Sequence, residues 1–137
     1  MSWIMRELGK LTEKHQTNNP FEIVERKNII IRYFPLGNTL GFYMKNARQK
    51  VITLNSDNNR HLMRFVCAHE LGHAVLHQDE NTPFLHKNTL FSKDRIEREA
   101  NEFAVQLLLY DKRLEDYETK FDVLRENGIP YEMKRFL

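Results

Sequence analysis

The segment His69-Glu70-Leu71-Gly72-His73 sets two imidazoles four residues apart, with a carboxylate beside the first. On a helix such residues share a face, so both imidazoles can be offered to one metal ion. Glu70 lies about 100° further round, where it can reach a water on that ion without taking a coordination position. Two neutral nitrogen donors beside a base are the needs of a metal-assisted hydrolase. A pattern this short also recurs by chance, as a surface helix with two histidines. The flanks argue against that: Phe65, Val66, Cys67 and Ala68 precede it, and Ala74, Val75 and Leu76 follow. Imidazoles in apolar surroundings need partners, and a metal supplies one to each.

A catalytic zinc keeps three protein ligands and leaves the fourth position for water. Glu97 and Glu99 are the candidates for the third, and about 200° of helical rotation separates them, so only one can face the metal. Glu97 shares its face with Ala100, Asn101, Ala104 and Leu108. The two alanines allow close approach to the histidine helix, and Asn101 is placed to accept the free N–H of a ligand histidine. Glu99 sides with Glu102 and Gln106 and reads as a solvated carboxylate. The expected ligands are therefore His69, His73 and Glu97, with Glu70 as catalytic base and Glu99 in reserve. Zn2+ is the expected metal, although such ligands also take Mn2+ or Fe2+.

The other candidates rank lower. His77 is about 12 Å from His69 along the helix, too far for the same ion, and suits the helix C-terminus. Cys67 faces away from His69 and reads as a buried thiol. His86 falls in the connection between the two helices and reads as a surface histidine, while His15 and His61 carry no pattern. Tyr43 and His86 are the residues to consider for stabilising an oxyanion.

Positioning these groups requires two long helices, one from Arg60 to about His77 and one over Lys93 to Leu109. Both show apolar residues at helical intervals. Ahead of them, Trp3, Ile4, Leu8 and Leu11 predict an amphipathic helix, and Asn19-Pro20 opens a short one over Pro20 to Lys27. Ile29 to Phe34, Thr39 to Met44 and Lys50 to Leu54 are β-branched and aromatic. They predict a small antiparallel sheet. A loop carries the chain from the first long helix to Ser92, and the tail should hold one or two short helices, with Gly128 ending one and Pro130 opening a last turn. The class is α+β.

The 137 residues fit one domain, 1–137. A net charge of +2, with bases and acids interspersed, argues against direct nucleic-acid binding. The lone cysteine cannot form an internal disulfide. Arg6, Glu7 and Lys10 break any apolar leader, and no run is long enough to span a membrane. A soluble, cytoplasmic protein is expected.

Taken together the pieces resemble the ImmA/IrrE family of metallopeptidases, in particular its short phage and mobile-element members. The resemblance is carried by Gly41-Phe42-Tyr43, Ile52-Thr53-Leu54-Asn55, the run from Phe65 to His77, Asn81-Thr82-Pro83-Phe84, Asn88-Thr89-Leu90-Phe91, and the run from Glu97 to Leu109. It covers roughly residues 20 to 110. It implies a zincin-like core, a third ligand at Glu97, and cleavage of a helix-turn-helix repressor that frees silenced genes. Tyr110 stands where many members have proline, which bears on how that helix ends. The rival reading is an antirepressor that docks on a repressor without cutting it, its metal being structural.

Overall fold

The computed structural model describes residues 2–137. Helix α1 spans Trp3–His15; the Ser2 side chain caps it by accepting from Met5 N, and Ile4, Leu8 and Leu11 form its buried stripe. Helix α2, Pro20–Arg26, starts as the sequence predicts, with Asn19 accepting from Phe21 N and proline at the first helical position.

Three strands follow: β1 Ile30–Phe34, β2 Thr39–Asn46 and β3 Gln49–Asn55. A two-residue strand, β4 Leu85–His86, completes a sheet of order β1-β3-β2-β4. The sheet is mixed, not antiparallel throughout as expected. β2 and β3 form an antiparallel hairpin, but β3 pairs with β1 in parallel, Ile30 opposite Val51 and Phe34 opposite Asn55. The cause lies in β3, whose Ile52, Thr53, Leu54 and Asn55 are all buried. A strand covered on both faces belongs inside a sheet, with a neighbour on each edge. The Asn55 amide donates to Gly37 O and Thr39 O at 3.0 and 2.9 Å, which holds the β1–β2 turn over the inserted strand.

Helix α3, Arg60–Leu76, is capped by Asn59, which accepts from Leu62 N, and it packs across β2 and β3. Gly41 makes room for it: a Cβ there would lie 2.7 Å from Val66 Cγ1. Helix α4, Arg95–Leu108, buries Ala100, Phe103, Ala104, Leu107 and Leu108 and packs on α3. A Cβ on Gly72 would lie 3.1 to 3.3 Å from three Phe103 side-chain atoms, so α3 and α4 approach closely there because that residue is glycine.

The connection from α3 to α4 is pinned in several places. β4 pairs with β2 at Thr39 and Gly41, a stretch that the sequence leaves as loop because two residues are too short to show alternation. Phe84 stacks on Phe42 with centroids 4.2 Å apart, and Lys45 pairs with Asp79 at 2.7 Å. Helix α5, Lys120–Glu126, is capped by Thr119. Gly128 follows it at φ 68, and Pro130 leads into a 3-10 turn over Tyr131–Phe136. That turn buries Met133 and is tied back by Gln106, which donates to Phe136 O.

Candidate metal centre

α3 and α4 together build the site. His69 and His73 stack one turn apart on the inner face of α3, their rings edge to face with centroids 4.8 Å apart. One ligand atom from each of His69, Glu70 and His73 lies within 4.8 Å of the others. Glu97, in the first turn of α4, enters between the imidazoles, Oε1 being 2.8 Å from His73 Nε2 and 3.4 Å from His69 Nε2.

The far nitrogen of each imidazole is engaged. Asn101 Oδ1 lies 2.8 Å from His69 Nδ1 and accepts its proton, as the helical spacing predicts. His73 Nδ1 lies 3.0 Å from His77 Nδ1, and His77 Nε2 lies 2.8 Å from Glu99 Oε1. With Asn101 accepting, His69 keeps its proton on Nδ1 and turns the Nε2 lone pair inward. Among the described residues His69 Nε2, both Glu70 oxygens and Glu97 Oε2 have no hydrogen-bond partner. Buried acceptors left unpaired cost free energy, so a cation fits the chemistry of this donor set.

The electrostatics divide the two imidazoles: at His69 burial acts downward, but Glu97, Glu70 and Asn101 outweigh it and raise the group above its ordinary value. Burial pushes the Glu70 carboxyl up to about 8, with the charge on Glu97 adding to the effect and His69 opposing it. Burial also lowers the His73 imidazole to about 4, against the pull of Glu97. At Glu97 burial acts upward, but the close contacts with His69 and His73 outweigh it and hold the carboxyl at about 2. A carboxylate between imidazoles, one of them hard to protonate, is suited to sharing a divalent ion.

The remaining sequence candidates fall elsewhere. Cys67 is buried, and burial pushes its thiol well up, as befits an inert core residue. The Tyr43 hydroxyl donates to Gln78 O at 2.9 Å and is pushed up to about 12 by burial and Asp79. His86 sits on β4, with Nδ1 3.3 Å from Asn38 O and 3.4 Å from Thr39 Oγ1. These partners engage the Tyr43 hydroxyl and the Nδ1 of His86. His61 is exposed and packs under Gly128. His15 is buried at the end of α1, where Arg26 donates to its carbonyl.

Glu99 is a correction. It is not a solvated carboxylate: its side chain is 12% exposed and bonded to His77 and Arg95. Helical angle alone put it on the polar side, but His77 caps α3 on the flank where Glu99 stands. The His-x-x-x-His-x-x-x-His run marks His77 as sharing the face of His73, but not its contact with Glu99.

An HExxH helix meeting a glutamate from the next helix, on a small mixed sheet, has the form of a zincin-like metal centre. The profile of the IrrE N-terminal-like domain, Peptidase_M78, matches residues 24–136, so this chain belongs to that family. It is 44% identical to the "Uncharacterized immunity region protein 2" of Bacillus phage phi105, over 90% of this chain and 82% of that one. It is also 32% identical to "Metallopeptidase ImmA" of Bacillus subtilis strain 168, over 82% of this chain and 67% of that one. Family and relative point to a metallopeptidase with a metal cofactor and a protein substrate.

Proposed function

We propose that residues 1–137 form one zinc endopeptidase domain that cuts a helix-turn-helix repressor of a phage or mobile element, acting in the cytoplasm. The observation that carries this reading is the convergence of His69 Nε2, His73 Nε2 and Glu97 Oε1 beside a Glu70 carboxylate with neither oxygen engaged. His69, His73 and Glu97 would hold the metal, Zn2+ by preference, with Mn2+ or Fe2+ acceptable to the same donors. A metal held there supplies Lewis acidity toward the peptide carbonyl and lowers the pKa of a water. Glu70 takes the proton of the attacking water on a carboxylate oxygen and passes it to the leaving amide nitrogen. Asn101 keeps the His69 ring turned inward. The repressor is chosen from the family resemblance, and the immunity-region name of the phage relative supports it.

The test is co-expression with the repressor of the parent element, followed by intact-mass measurement. Wild type should yield two fragments, and Glu70→Gln should cut slower by about 100-fold or more while retaining metal. Undiminished cutting by Glu70→Gln would remove Glu70 from the mechanism. Derepression with the repressor intact would favour the docking antirepressor.

A further inference from the structure

We infer that His77 is a positioning residue for the metal centre: with Glu99 behind it, it fixes the His73 ring so that Nε2 presents its lone pair to the ion. This rests on the metal reading above. Metal-bound histidines usually give their second ring proton to a carboxylate, a backbone carbonyl or a water. Here the acceptor is another imidazole, buried at the C-cap of α3.

The protons can be assigned from the outside inward. Glu99 Oε1 receives the Arg95 guanidinium at 3.1 Å, so it acts as acceptor toward His77 as well. The bond of 2.8 Å between His77 Nε2 and Glu99 Oε1 then places the N–H on His77 Nε2. In a neutral His77, Nδ1 is left with a lone pair, and the contact of 3.0 Å to His73 Nδ1 then takes its one proton from His73. A neutral His73 protonated on Nδ1 has its lone pair on Nε2, the atom beside Glu97 Oε1. Arg95 also reaches Glu80 at 3.1 Å, so the chain of contacts runs from the loop after α3 to the centre.

Two measurements test this on the full chain. In zinc-loaded protein labelled with 15N at histidine, a nitrogen–nitrogen coupling should appear across the bond between the Nδ1 atoms of His73 and His77. Zinc affinity, read by competition with a chromogenic chelator, should fall about 10- to 100-fold in His77→Leu. His77→Asn, whose Oδ1 can accept the same proton, should recover most of that loss, which a loss of packing alone would not allow. Absence of the coupling in wild type, or unchanged affinity in folded His77→Leu, overturns the inference. Failure of wild type to take up zinc overturns the metal reading and this inference together; normal uptake with an indifferent His77→Leu overturns this inference alone.

Discussion

Glu70 is completely buried, and neither of its oxygens has a hydrogen-bond partner among the described residues. In metal-stripped protein that combination has a consequence for pH. An unfolded glutamate ionises at about 4.3, while the folded group holds its proton up to about 8. The folded state therefore binds more protons between those values. The favourable contribution is complete below the unfolded pKa and is lost as pH rises through the folded one. Glu70→Gln cannot ionise, so in chelator its melting temperature should gain on wild type by about 5 °C or more between pH 5 and pH 9. A constant difference over that range would mean that the carboxyl is ionised without cost. That His69 and His73 share one face of α3, and Glu97 and Asn101 one face of α4, was legible in the sequence, because helical angles within each helix determine it. The contact of His77 with Glu99 was not. It joins a helix cap to the polar flank of another helix, and no periodicity encodes how the two helices dock.

The docking of α3 on α4 sets the geometry of the centre, since the histidines ride one helix and Glu97 the other. Gly72 is where that spacing is most exposed to a single change, for the Phe103 ring lies within 3.1 Å of the place a Cβ would take. Gly72→Val should wedge the helices apart, destabilise the fold by about 1–3 kcal/mol and weaken zinc binding in the protein that remains folded. Chemical denaturation and chelator competition measure the two effects. Full zinc affinity in folded Gly72→Val would show that the centre tolerates helix separation. The helices were readable from apolar spacing and caps, as were the strands from β-branched and aromatic runs. Strand order was not: a short turn such as Pro35 to Asn38 suggests a hairpin, and only the burial of β3 on both faces reveals that it lies between β1 and β2.

At the scale of the molecule the centre is sealed. His69, Glu70 and His73 are 0% exposed and Glu97 is 2% exposed, so a peptide cannot touch Glu70 in this conformation. The proposed cleavage therefore requires a segment to move. The connection between α3 and α4 is held at its surface by Lys45 to Asp79, Phe42 to Phe84, Arg95 to Glu80, and Arg135 to the carbonyls of Leu90 and Ser92. The exposed ion pairs among these are each worth no more than about 1 kcal/mol, so the stretch 79–84 can loosen while Leu85 and Leu90 stay in the core. Combined Lys45→Ala and Phe84→Ala should speed the removal of zinc by chelator several-fold at little cost in stability. An unchanged rate would place the opening elsewhere. Among the described residues no helix is long and apolar enough to cross a membrane.

In the proposed centre His69, His73 and Glu97 hold one metal ion while Glu70 stays free to act as base. Metal content by mass spectrometry on purified wild type, Glu70→Gln and Glu97→Ala tests it most directly. About one zinc per chain is expected in the first two and little in the third. Metal-free protein in all three after zinc is supplied, or equal zinc in all three, would contradict it.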